Sequence, residues 1–286
     1  MKHSFHKYFT VFIIFFLPFL WPGLEVSACT LWAAAGSRVQ GGGVLIAKNR
    51  DMPPDHRQEL RLVKPRDGFR YFGLFAVDSD EPGVKAGVNE KGLVIVDAAA
   101  SCLPRRERQR RPEVEHLNEK ILSACADVDA VLRRQLMFLA PAYYLVADRT
   151  QAVLLEVTLT GARSLTRIAQ GTLSHTNHYL RVDCLDNNRK VNQGSRVRLK
   201  RIRELLALRP QALTLTDCIG FSRDRHDGPD HSIWRTGSTA KKIRTLASWI
   251  VRLPPDGPPS LYVKLANPGE PPSTRQLQLH DSFWGN

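Results

Sequence analysis

The 286-residue sequence has no glycine period, no sustained heptad and only one long apolar stretch. Those absences exclude a collagen-like chain, a coiled coil and a multi-span membrane protein. Cysteine is scarce. Its five positions, Cys29, Cys102, Cys125, Cys184 and Cys218, form no CxxC pair, which removes zinc knuckles and iron–sulfur ligation. Acidic side chains are in the minority, 28 against 41 basic ones, for a formal charge of +13. The densest basic run, residues 105–111 between Pro104 and Pro112, lacks interleaved aromatics and belongs to no recognisable finger or recognition helix. A nucleic-acid partner is therefore not expected. What remains is a globular chain, 43% hydrophobic and 24% charged, long enough to bury a sizeable core.

The apolar stretch, residues 9–20, follows His3 and Lys7 and precedes a short segment ending Val26-Ser27-Ala28. This is the three-part pattern of a secretory signal peptide, with small residues where a signal peptidase reads. Twelve apolar residues are short for a span of about 20, and Trp21-Pro22-Gly23 breaks any helix before the charge at Glu25. The expectation is a cleaved leader over 1–28, an exported protein, periplasmic or extracellular, and a single mature domain over 29–286. Val26-Ser27-Ala28-Cys29 also resembles a permissive lipobox, which would make the same thiol a lipid anchor. Loss of Lys2, Lys7 and Glu25 with the leader leaves +12, so an anionic envelope surface is a candidate peripheral contact.

Along the mature chain, short apolar runs at 30–35, 44–47, 58–64, 70–77, 83–88 and 93–98 read as antiparallel strands. Helical spacing appears at 113–125 and at 128–139, the second opened by Asp127. Strands at 142–147 and 152–158 flank a turn, and 196–208 reads as an amphipathic helix. A shorter helix over 213–221, capped by Thr214 or Thr216, precedes strands at 245–251 and 260–265. No internal repeat or linker divides the chain. The four cysteines other than Cys29 either form up to two disulfides or serve as buried small side chains.

A mature chain that opens on Cys29-Thr30 at the mouth of a strand has a chemical reading. A terminal cysteine carries a nucleophilic sulfur and, in its own α-amine, a base with a pKa near about 7.7. That amine can take the thiol proton directly or through water, without a histidine. An uncleaved chain would keep the thiol but lose the base, because an amide nitrogen is no proton acceptor.

Cys29-Thr30, followed by Lys48-Asn49-Arg50-Asp51, resembles the N-terminal nucleophile hydrolases of the choloylglycine hydrolase and penicillin acyltransferase type. Residues 87–93, Gly-Val-Asn-Glu-Lys-Gly-Leu, are similar to the family's Gly-x-Asn-x-x-Gly-Leu turn. Residues 175–179 resemble its Thr-Asn-His segment, and Ser195-Arg196 resembles the pair that opens a later helix. The resemblance implies an α+β fold: a four-layer αββα sandwich of two antiparallel sheets between helical layers. It implies cleavage or transfer at a linear, non-peptide amide through a thioester, with no metal or organic cofactor and a small-molecule amide as partner; the +12 charge of the mature chain suggests an anionic one. Position by position, it makes Cys29 the nucleophile, Asp51 the acid beside the terminal amine, Asn177 an oxyanion donor and Arg196 the late active-site arginine. Lys48, Asn49 and Arg50 become substrate contacts.

The chain departs from the bile-acid branch of that pattern in two places. Lys48 stands where those enzymes have arginine, and lysine lacks the planar fork of a guanidinium. Ala99 stands where they place an asparagine, so a second oxyanion donor is missing or is replaced by backbone. Each assignment also has a plain structural alternative. Asp51 can cap the turn before Pro53-Pro54, Asn177 can be a turn residue, and Arg196 can face solvent with Arg198, Lys200, Arg201 and Arg203. A terminal amine makes His175 and His178 unnecessary as bases.

Overall fold

Alternating side chains along the first strand settle how the layers stack. In β1 (Thr30–Ala35), Leu31, Ala33 and Ala35 enter one buried cluster, while Trp32 and Ala34 enter another. A strand buried on both faces reads as an unbroken apolar run, as this one does. The computed structural model describes residues 28–77, 82–209 and 211–285. The leader expected over 1–28 lies outside them except for Ala28.

The strands after β1 are β2 (Val44–Met52), β3 (Gln58–Val63), β4 (Tyr71–Ala76), β5 (Gly83–Asn89), β6 (Val94–Ala99), β7 (Ala142–Ala147) and β8 (Ala152–Val157). They continue as β9 (Arg163–Ile168), β10 (Gly171–His175), β11 (Arg244–Leu253), β12 (Ser260–Leu265) and β13 (Ser273–Gln278). The helices are α1 (Arg105–Arg108), α2 (Leu117–Ala124), α3 (Val128–Arg133), α4 (Gln193–Ala207), α5 (Leu215–Ser222), α6 (Gly228–His231) and α7 (Asp281–Trp284).

Two antiparallel sheets result, one six-stranded in the order β10-β1-β2-β11-β12-β13, the other seven-stranded in the order β3-β4-β5-β6-β7-β8-β9. Their facing sides share the central core, from Leu31 and Ile46 on one sheet to Val96 and Leu145 on the other. Helices α2 and α3 cover the outer face of the seven-stranded sheet, and α4 and α5 cover that of the six-stranded one. This is the expected αββα sandwich.

Local chemistry explains the boundaries. Asp127 accepts from the Ala130 amide, and Thr214 forms a capping box with Asp217. The helix expected from 113 begins at Leu117 because His116 takes a left-handed backbone, φ 55°. The one expected over 128–139 ends at Arg133 and continues as a short 3-10 turn, Gln135–Met137. Asn89, in the 87–93 turn, accepts from the Lys91 and Leu93 amides and donates to Leu122 O and Cys125 O, closing the end of α2. Gly43 in the β1–β2 hairpin has φ 80°, and a Cβ there would lie 2.1 Å from Leu253 O.

All five cysteines are buried free thiols. Cys125 lies in the outer core beside α2 and Cys218 in the opposite outer core beside α5, with two sheets between them. The structure contains no disulfide among the described residues.

Candidate active site

Cys29 sits at the entry to β1, 3% exposed, with its side chain in the core between the sheets. Its backbone nitrogen donates to Asn177 Oδ1 at 2.8 Å. Asn177 follows directly on β10, whose His175 pairs with Leu31 in the neighbouring strand, so the sheet register delivers the asparagine to the start of β1. The orientation of the Asn177 amide is fixed by its partners. Oδ1 also accepts from Arg198 Nη2 at 3.1 Å, while Nδ2 donates to Ala99 O at 2.9 Å. One N–H of Nδ2 remains, because an amide nitrogen carries two. Ser195 Oγ accepts the Asn177 amide at 3.0 Å, and Asn177 O accepts from the Cys102 amide at 3.1 Å.

Asp51, near the end of β2, is fully buried. Thr245 Oγ1 donates to its Oδ1 at 2.7 Å. Its Oδ2 has no hydrogen-bond partner among the described residues, though Arg198 Nε lies at 3.7 Å and Arg235 Nη1 at 3.9 Å. Burial pushes the Asp51 carboxyl above its ordinary range, against the pull of Arg198, Arg235, the Thr245 hydroxyl and Arg50. Burial likewise lowers the Arg198 guanidinium to about 10, with Asp51 resisting. The Ala28 amide donates to Asp51 O at 3.2 Å, which extends the β1–β2 pairing two residues beyond Thr30 and Asn49. By that register Cys29 stands opposite Arg50.

Of the residues expected at the site, Asn177 bonds the Cys29 nitrogen, and Arg198 bonds Asn177 and lies 3.7 Å from Asp51 Oδ2, so a chain of contacts connects Cys29, Asn177 and Asp51. Arg196 is a correction. It is exposed on α4, and the arginine buried at the site is Arg198, 1% exposed, which also donates to Thr30 Oγ1 at 3.1 Å. The helix starts at Gln193, so the buried stripe runs through Ser195, Arg198, Ile202 and Leu206. That three- and four-residue spacing was a usable signal for Arg198, an arginine on the apolar stripe of its helix.

Asn49 and Lys48 are not free to meet a substrate as expected. Asn49 Nδ2 donates to Ser222 O and Ile233 O, both at 2.8 Å, and its Oδ1 accepts from Ser248. It pins β2 to the end of α5 and to the segment before β11. Lys48 Nζ donates to Asp97 Oδ1 and Lys85 O, both at 2.6 Å, joining the two sheets. Burial opposes ionisation of Asp97, but Lys48, Lys85 and the Asn118 amide hold its carboxyl below the usual range. Arg50, 2% exposed, donates to Gln58 Oε1 at 2.8 Å. His175 is built in too: its Nε2 lies 2.9 Å from Glu156 Oε1 and its Nδ1 2.9 Å from Thr176 O. Sequence reasoning gave Thr30 no role beyond the Cys29-Thr30 motif and did not anticipate Arg235 or Thr245, whose types carry no signal outside the fold.

The sequence model of the acyl-coenzyme A:6-aminopenicillanic acid acyl-transferase family matches residues 38–269. The chain belongs to that family. The family lies within the choloylglycine hydrolase and penicillin acyltransferase group of N-terminal nucleophile hydrolases, which includes enzymes that cleave amides and thioesters. No curated protein gives a significant sequence match. Among solved structures, a mutant of the conjugated bile acid hydrolase from Clostridium perfringens is 14% identical over 87% of this chain and 92% of its own, with a TM-score of 0.50. The Caenorhabditis elegans N-acylethanolamine-hydrolyzing acid amidase ortholog is 13% identical over 80% of this chain and 94% of its own, with a TM-score of 0.49. The first likeness agrees with the sandwich fold of the acyl-transferase family.

Proposed function

We propose that the protein is an exported amidohydrolase that uses Cys29, freed as the N-terminal residue, to cleave a linear non-peptide amide through a thioester. The observation that supports this most is the bond from the Cys29 nitrogen to Asn177 Oδ1 at 2.8 Å, with Arg198 on the same oxygen. The atom that becomes the terminal amine is already held beside its own sulfur. Removal of residues 1–28 converts that amide into an amine able to accept the thiol proton. The unpartnered Asp51 Oδ2 is then an acceptor for the resulting ammonium.

The thiolate attacks the acyl carbonyl, and the second N–H of Asn177 Nδ2 meets the developing oxyanion. Arg198, Arg235 and Arg50 around the single Asp51 carboxylate leave the buried cluster net positive, which favours negative charge on sulfur or oxygen. The ammonium returns its proton to the departing amine, and water releases the acid. Transfer of the acyl group to a second amine is the alternative fate of the same thioester, consistent with the family's acyl-transferase members.

The test is the mass and N-terminal sequence of the exported protein, together with turnover of N-acyl amino acids, penicillins, acyl homoserine lactones and conjugated bile acids. The expected result is a chain starting at an unmodified Cys29 and an active amidase. Cys29→Ser should lose at least about 1000-fold in kcat while remaining folded. A mature chain that starts elsewhere, or one lipidated at Cys29, overturns the assignment.

A further inference from the structure

Along the outer side of β10, away from β1, a cleft of about 550 Å3 opens between the two sheets and α4. Neither Cys29 nor Asn177 lines it. Its depth is apolar: Leu154 and Leu173 come from facing sheets, and Leu206 comes from α4. Its lining also includes four arginines, Arg38, Arg181, Arg203 and Arg209. The carboxylate in the wall, Glu156, is fully buried and already taken by His175 Nε2 and by the Leu180 and Arg181 amides. Its oxygens are therefore already bonded within the protein.

The arginines differ in how far they are spent. Arg38 donates to Leu206 O and Arg209 O at the end of α4. Arg209 lies 3.4 Å from Asp217, and Arg181 bonds Ser164 Oγ at 3.0 Å with Asp183 at 3.5 Å. Arg203 has one long bond among the described residues, 3.4 Å to Ser174 Oγ. Two apolar side chains adjoin the arginine rim in sequence and face solvent: Val182, 87% exposed, next to Arg181, and Leu208, 70% exposed, next to Arg209. A pocket of this size with apolar depth and a few placed charges is the usual form of a small-molecule site.

We propose that this cleft is a binding site for a long-chain carboxylic acid, separate from Cys29, with the chain against Leu154, Leu173 and Leu206 and the carboxylate at Arg181 and Arg203. The inference does not depend on the proposed amidase activity. It is tested by isothermal titration of submicellar dodecanoate into Cys29→Ala protein, which cannot turn over a substrate at Cys29.

The expected result is one dodecanoate per chain, binding at least about tenfold weaker in the Arg181→Gln/Arg203→Gln double variant, and none in Leu173→Trp, where the indole fills the depth. Both arginines are exposed, so the double variant decides the matter if Leu173→Trp fails to fold. Absence of dodecanoate binding overturns the proposal, as do many molecules per chain, equal affinity for dodecyltrimethylammonium, or unchanged binding in the double variant.

Discussion

On the face of the six-stranded sheet that meets its sister sheet, Cys29 lies among apolar side chains, and Lys48 and Arg50 carry the charges. On the opposite face, Thr30, Asn49 and Asp51 meet α4, α5 and the segment before β11. The pleat assigns consecutive residues of one four-residue motif to two different layers. Lys48 ties sheet to sheet, Asn49 ties sheet to helix, Arg50 stands opposite the nucleophile, and Asp51 carries the buried carboxylate on the helical side. The contrast shows why such a motif can be compact in sequence without being a cluster in space. Asn177 bridges the two sides, bonded to Cys29 N, to Arg198 and to Ala99 O of the other sheet.

If Asn177 is that bridge, Asn177→Ala should cost about 100- to 1000-fold in kcat, the scale of losing one oxyanion donor. A loss under tenfold would separate the two faces functionally. The next contrast lies within α4. Arg198→Lys should cost about 30-fold in kcat/KM, or about 2 kcal/mol for a charge-assisted bond, whereas exposed Arg196→Gln should stay within about twofold. Equal losses would break the distinction between the buried stripe and the solvent face.

On the sheet-to-sheet side the effect should be on stability. Lys48→Met leaves Asp97 with Lys85 as its nearby cation and without the charge-assisted bond, and should lower unfolding free energy by about 2 kcal/mol in a denaturant titration. The smallest effect concerns His178, whose Nδ1 lies 2.8 Å from Ser195 Oγ at the start of α4. Burial, then His175, Arg196 and Arg203, lower it to about 4. The unfolded chain takes up that proton near pH 6.5 and the folded chain does not, so the stability it contributes is complete above about 6.5 and is lost as pH falls toward 4. Thermal unfolding of His178→Gln should show a shallower decline across that window than the wild type.

Much of the fold was legible because most interior strands are uninterrupted apolar runs. The strands that escaped reading, β9, β10 and β13, are three of the four sheet edges. An edge strand has solvent on one flank and lacks a full apolar signature, as the mostly exposed polar residues of β13 show. The site was legible where a residue type is chemically unusual for its place, as with Cys29. It was illegible where the partner is common and the meeting depends on register: nothing about Thr245 or Arg235 announces a contact nearly two hundred residues away in sequence. The arginine was misplaced by two positions because the Ser195-Arg196 motif points to Arg196, whereas on α4 the residue that shares the buried face with Ser195 is Arg198.

On the proposed route of cleavage before Cys29, the pairing of the Ala28 amide with Asp51 O bears on the order of events. The Ala28–Cys29 bond runs into a completed ladder, and Cys29 itself is almost wholly covered. A protease needs an extended, accessible strand of several residues on both sides of the bond it cuts. The peptidase proposed to liberate Cys29 would then act while β1 is still unpaired, so that maturation would precede closure of the sandwich and a molecule that folded first would be locked as its own precursor.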